Sequence, residues 1–208
     1  MSTTFDMDWG SIREPGSGGN VDFMKLVNGP NVMRIVGKPS LIEVHWEKAA
    51  DGSTKKIICP GAGCPICKAG HAPNSRYQVK VIDRGEKEEI KIKVLEQGPT
   101  VFNAIKTFAM EPEYGDPTKY DIKIKKDGAG RETKYNVVAS PKKVNLTDEE
   151  RQAIEDSKSL EEINKPKTIE EIQTMGLEIL MGSMADLGDL GGSDIDPENL
   201  SDDDWNNL

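Results

Sequence analysis

The chain has 208 residues, 36% apolar and 30% charged, with a formal net charge of -9, a composition too polar for the whole length to share one core. No run reaches the roughly 18 to 20 apolar residues of a membrane span, and Met1-Ser-Thr-Thr-Phe-Asp-Met-Asp8 lacks the basic and apolar regions of a secretory signal, which predicts an intracellular protein without membrane contact. The net charge alone argues against a polyanionic partner, but residues 1–145 hold 23 Lys/Arg against 18 Asp/Glu and residues 146–208 hold 4 against 18, so a basic body of +5 carries an acidic end of -14.

In chain order, residues 1–19 are rich in Ser, Gly and Asp with isolated Phe5 and Trp9, and predict a flexible N-terminal arm. From Val21 to Asp83, β-branched and aromatic runs at Val32–Val36, Leu41–Glu47, Lys56–Ile58 and Tyr77–Asp83 are punctuated by Gly29-Pro30 and Gly37-Lys38-Pro39, the pattern of short strands. Glu89–Leu95 alternates, setting Lys91 and Lys93 against Ile90, Ile92 and Val94, which predicts a half-buried strand with a basic outer face. Thr100–Met110 spaces Val101, Ala104, Ile105 and Phe108 at helical intervals between Pro99 and Pro112. Tyr120–Lys125 and Thr133–Ala139 flank Asp127-Gly128-Ala129-Gly130 and predict a hairpin. Thr147-Asp-Glu-Glu150 and Thr168-Ile-Glu-Glu171 are capping-box starts of acidic helices, the second weakened by Gly176. From Gly182 onward there are eight Asp/Glu and no Lys or Arg, a segment too polar to offset its ordering entropy and expected to be disordered.

The chain's three cysteines all fall within Cys59-Pro-Gly-Ala-Gly-Cys64-Pro-Ile-Cys67-Lys-Ala-Gly-His71, and the other of its two histidines is His45. Clustered thiols in a reducing compartment favour a metal over a disulfide, and Cys64-x2-Cys67 sets two sulfurs on one tight turn, a spacing that predicts a structural Zn2+ site. Spacing leaves the fourth ligand open between His45, which would tie a strand to the loop, and His71, which it favours slightly. No phosphate loop, nucleophile elbow or apolar-framed pair of carboxylates is present, which predicts a binding protein rather than an enzyme.

Basic and aromatic residues recur together along the strands: Arg34, Trp46, Lys55, Lys56, Arg76, Tyr77, Lys80, Lys91, Lys93, Tyr120, Lys123, Lys125 and Tyr135. Cations that follow phosphates beside rings that stack bases are what a single-stranded nucleic acid requires. Taken singly, Trp46 or Tyr135 is more often core than stacking platform and a strand lysine is usually just solvated, so the set carries the argument. The acidic end, with Asp202, Asp203, Asp204 and Trp205, suits a partner-binding tail that competes with nucleic acid for the basic body. A second reading, from another class, is a zinc-stabilised interaction module that acts through this tail without touching nucleic acid.

The ordered set His45-x13-Cys59-x4-Cys64-x2-Cys67, the stretches Glu96-Gln-Gly-Pro-Thr-Val-Phe102 and Tyr114-Gly-Asp-Pro-Thr-Lys-Tyr-Asp-Ile122, and the acidic end with its late aromatic resemble the single-stranded DNA-binding proteins of tailed bacteriophages over residues 20 to 140 and the tail. The resemblance implies an OB-fold core with a zinc subdomain, coating of single-stranded DNA during phage replication, recombination and repair, self-association on DNA, and recruitment of replication and recombination proteins by the tail. It also implies His45, Cys59, Cys64 and Cys67 as the zinc ligands, in place of His71. The Cys59–Cys64 loop is shorter than in that family, and the arm is not basic.

The expected architecture is therefore mainly β with a few helices. It comprises an arm (1–19), an OB-fold-like small barrel (20–145) with a zinc-bound loop (45–71), an acidic helical segment (146–181) and a disordered acidic tail (182–208).

Overall fold

The computed structural model describes residues 22–85 and 89–182. The expected arm, and all of the acidic tail beyond Gly182 including Asp202, Asp203, Asp204 and Trp205, lie outside the described residues. Among the described residues no helix is long and apolar enough to cross a membrane.

The alternation of the sequence becomes two faces of one antiparallel sheet. In β1 (Gly29–Ile35), Met33 and Ile35 turn inward and Arg34 turns to the other side. β2 (Ser40–Lys48) pairs with β3 (Thr54–Ile58) around a turn through Gly52, and β4 (Asn74–Asp83) is the axis of the sheet. One edge of β4 meets β2 over Asn74–Gln78 and β1 over Val81–Asp83, while its other edge carries β5 (Ile92–Gln97). β6 (Tyr120–Asp127) and β7 (Lys134–Lys143) form the predicted hairpin, giving the order β3-β2-β4-β1-β6-β7 with β5 attached to β4. The hairpin needs glycine at Gly128: its φ is +90°, and a Cβ there would lie 2.8 Å from the Glu132 carbonyl oxygen. The mainly-β body with few helices expected from the sequence is what the structure shows.

The longest helix among the described residues, α2 (Pro99–Met110), starts at a proline and buries Val101 and Ile105. They meet Met33, Ile35, Val81, Leu95, Ile122 and Ile124 in the main core. A second, smaller core lies at the far end, where Ala49, Ile57, Cys64 and Ile66 pack with Ile172 and Leu177. Those last two residues come from the acidic C-terminal segment.

That segment forms four short helices: α3 (Asp148–Asp156), α4 (Leu160–Ile163), α5 (Ile169–Thr174) and α6 (Glu178–Gly182). Thr147 with Glu150 and Thr168 with Glu171 close the two predicted capping boxes, and Ser159 with Glu162 closes a third. Gly176, at φ +65°, separates α5 from α6. α3 and α4 pack against β4 and the residue that follows it. There Asn164 Nδ2 donates to Gln78 Oε1 at 2.7 Å, Arg84 pairs with Glu150, and Lys80 Nζ reaches Ser157 Oγ at 2.6 Å near the α3 C-terminus, where a cation complements the helix dipole.

One strand departs from expectation. β5 begins at Ile92 rather than Glu89, and both of its faces are covered. Residues 22–24 run beside it, with Met24 N–H donating to the Val94 carbonyl and Val94 N–H to the Asp22 carbonyl, each at 2.9 Å.

Candidate metal centre and nucleic-acid interface

His45 is fully buried in the middle of β2, and its register partner Ile57 on β3 carries the chain two residues on to Cys59. Cys59 is held by its N–H to the Glu43 carbonyl at 2.8 Å. The chain then turns through Gly61 and Gly63, both at positive φ, into the one-turn helix α1 (Pro65–Lys68). Proline at the first helical position fixes the turn that sets Cys64 and Cys67 on the same side.

The four side chains converge. Cys64 Sγ and Cys67 Sγ each lie 3.5 Å from His45 Nε2, Cys59 Sγ lies 3.7 Å from Cys67 Sγ, and all four donor atoms fall within 4.8 Å of one another. A tetrahedral ion with bonds of about 2.3 Å to sulfur and about 2.0 Å to nitrogen sets its ligands about 3.8 Å apart (sulfur to sulfur) and about 3.5 Å apart (sulfur to nitrogen). The three close contacts match those edges, so the cluster could hold a metal ion.

The electrostatics point the same way. Burial, then the nearby His71, hold the His45 imidazole below its ordinary pKa against the opposing pull of Glu43, which favours the neutral ring that metals bind. Burial and hydrogen bonding of the protonated thiol with Cys59 and Cys64 push Cys67 up to about 12. Crowded thiols resist losing protons to one another, and a bound cation reverses that penalty. With four protein donors there is no open position for substrate, as in a structural site. His45 Nδ1 is buried without a hydrogen-bond partner among the described residues, so the cluster is the polar anchor of this ring.

His71, which spacing favoured slightly, is directed elsewhere. Its Nδ1 lies 3.0 and 3.1 Å from the two carboxylate oxygens of buried Glu47. Glu47 was missed in the sequence, although its i+2 relation to His45 places both on one face of β2.

The basic and aromatic candidates separate into buried and open groups. Arg34 is wholly buried, its Nε donating to Asp121 at 2.8 Å and its Nη1 to the Val144 carbonyl at 2.7 Å. Tyr120 is wholly buried and donates to the Gly115 carbonyl. Neither offers a surface to nucleic acid, because tertiary cover has taken the polar atoms that periodicity alone assigned to solvent. Trp46 packs with Ile42, Val44 and Ile58, and Lys56 Nζ lies 5.8 Å above its ring and 5.3 Å above that of Phe23. Glu96 accepts from Lys56 and from Gln78 and faces Arg76 at 3.9 Å. Burial lowers the Lys56 pKa, with Glu96 opposing.

Lys80 and Arg84 are occupied by α3. Lys93 sits beside Asp83 at 3.0 Å and Asp22 at 3.8 Å with its side chain largely covered, so the basic outer face expected of its strand is not formed. Lys91 lies 3.7 Å from Glu89. Tyr77 stacks on Phe102 at 5.4 Å and ties α2 to the sheet, Tyr135 packs against the main core, and Lys55 is half-exposed 3.9 Å from Asp51.

Lys123 and Lys125 remain exposed on the outer face of β6. Register places Val138 beside Lys123, Asn136 beside Lys125 and Lys134 beside Asp127, all on the same open face. Val32 and Pro30 of β1 flank the two lysines on the other side.

Comparison with known proteins adds one observation. The chain resembles a curated phage protein. It is 27% identical over 154 residues to a protein of Escherichia phage T5 named "Probable ssDNA-binding protein". The alignment covers 62% of this chain and 58% of that protein, so the chain matches less than two thirds of the relative's length. No family model matches the sequence, and no solved structure matches the fold.

Proposed function

We propose that this protein binds single-stranded DNA through the open face of the β6–β7 hairpin, and that His45, Cys59, Cys64 and Cys67 hold one structural zinc ion. The observation that carries the first part is the likeness to the phage T5 protein. Support comes from the hairpin, where Lys123, Lys125 and Lys134 offer cations around the exposed apolar side chain of Val138. Affinity for single strands comes largely from phosphate contacts, with sequence-tolerant apolar contact to bases beside them. The zinc assignment rests on the donor set of three sulfurs and one nitrogen and on its tetrahedral edge lengths. In this role the protein coats transient single strands during phage DNA replication, recombination and repair. The acidic end, with eight Asp/Glu and no Lys or Arg from Gly182 onward, engages replication and recombination partners.

The test is a titration of poly-dT at a series of salt concentrations. Each phosphate contact contributes about 0.7 to the slope of log K against log salt for single strands, so Lys123→Glu with Lys125→Glu is expected to flatten it by about 1.4. Absence of association with wild-type protein at low salt would refute the function. A double variant that binds with an unchanged slope would refute the surface.

A further inference from the structure

The candidate metal knuckle is roofed by a remote part of the chain. Ile172 of α5 and Leu177, just before α6, are both fully buried, and they share one apolar cluster with Cys64, Ile66, Ile57 and Ala49. Contact continues along the backbone: Ala50 N–H donates to the Gly176 carbonyl at 2.9 Å, and Ala49 and Leu177 form an isolated antiparallel bridge. Gly63, between the first two cysteines, approaches so closely that a Cβ there would lie 3.1 Å from Ile169 Cδ1. Side-chain packing thus ties residues 169–182 to the loop that carries Cys59, Cys64 and Cys67, and backbone contacts tie them to the β2–β3 turn beside it.

The side of this seat made by Cys64 and Ile66 exists only while the knuckle keeps its shape. α1 is one turn long, shorter than an isolated helix can sustain. The loop before it turns through two positive-φ glycines, so between its anchors at Cys59 N–H and at the His71–Glu47 contact the four donors are what fix Cys64 and Ile66 against Ile57. Residues 169–182 have no better means of standing alone, being two helices of 6 and 5 residues broken at Gly176.

We infer that the metal centre is a latch: ion binding shapes the seat on which Ile172 and Leu177 dock, and loss of the ion releases residues 169–182 while the main core under α2 stays folded. The inference rests on the zinc reading of the site. The latch also fixes the root of the acidic end, because the residues after Gly182 depart from α6. Docking and metal binding are then linked, and linkage is reciprocal: whatever factor the metal adds to docking, docking adds to metal affinity.

The experiment is amide hydrogen exchange on the full-length chain, loaded with one equivalent of zinc under reducing conditions and then stripped with a chelator. On stripping, exchange in residues 59–71 and 169–182 is expected to accelerate at least tenfold, with β6 and β7 unchanged. Leu177→Ala is expected to weaken zinc, measured by competition against a chromophoric chelator, by the factor it costs docking. Zinc that binds and leaves without altering exchange at 169–182 would overturn the latch and spare the metal reading. Acceleration of β6 and β7 together with 169–182 would also overturn it, since the ion would then hold the whole fold. Failure to bind zinc at all would overturn the metal reading and the latch with it.

Discussion

Replacing Arg34 with methionine separates a structural arginine from a nucleic-acid contact. The guanidinium is fully buried near the C-terminal end of β1, donating to Asp121 and to the Val144 carbonyl, where the chain leaves β7 for α3. Breaking a buried ion pair by removing one partner costs about 3 to 5 kcal/mol. The lower end applies here, because Asp121 is partly exposed and keeps Arg84 Nε at 3.4 Å. Methionine also retains much of the arginine's apolar stem. A loss of about 3 kcal/mol corresponds to about 6–12 °C in Tm for a chain of this size. Urea and thermal unfolding measure the loss, and poly-dT titration against salt, run well below the variant's Tm, measures binding. Stability is expected to fall by this amount with the salt slope unchanged. Unchanged stability together with a slope flattened by about 0.7, the loss of one phosphate contact, would refute the structural assignment.

Three further substitutions probe the hold on α3 and the positive-φ glycines Gly128 and Gly29. Burial would raise the Glu150 pKa, but the hydrogen bond from Arg84, the Thr147 backbone bond and the Arg84 and Arg34 charges outweigh it and hold it below the ordinary value. A depressed carboxylate stabilises the fold above the unfolded pKa of about 4.3 and loses that contribution as pH falls through the lower folded value. Glu150→Gln is therefore expected to lower stability at neutral pH and to flatten its decline below about pH 4.3, measured by urea midpoints across pH; a decline as steep as wild type would show that α3 is not held by this carboxylate. Gly128→Ala meets both a strained φ and the Glu132 carbonyl, whereas Gly29→Ala, at φ +99°, meets open space. The first is expected to cost about 2 kcal/mol or more and the second about 1 kcal/mol, and equal urea midpoints for the two variants would contradict the close approach at Gly128.

The features visible in the sequence were those whose cause is local. Period-two alternation marked β6 and the hairpin, helical spacing after Pro99 marked α2, and Thr147 with Glu150 and Thr168 with Glu171 marked two helix starts. The same Ser/Thr-x-x-Glu signal at Ser159 and Glu162 was available and went unread. At the metal site, Cys64-x2-Cys67 on its proline-started turn was visible for the same reason, but local spacing slightly preferred His71, because only the β2–β3 pairing brings His45 against the sulfurs and directs His71 to Glu47.

Composition and periodicity by themselves determined that this would be a mainly-β body with a cysteine-rich knuckle, basic strands and an acidic end, since each depends on neighbours a few residues apart. Tertiary structure decided which of those strand cations see solvent. Arg34, Lys56, Lys80 and Lys93 lie on alternating strands like Lys123 and Lys125, but the first is taken by Asp121 and by Val144 after β7, and the other three are covered or occupied by residues 22–24, β5 and the end of α3. Tertiary structure also made the acidic helices part of the fold, because Ile172 and Leu177 complete the core beneath the cysteines. Alternation tells which side of a strand a residue faces, whereas what covers that side is set by chain far away in sequence.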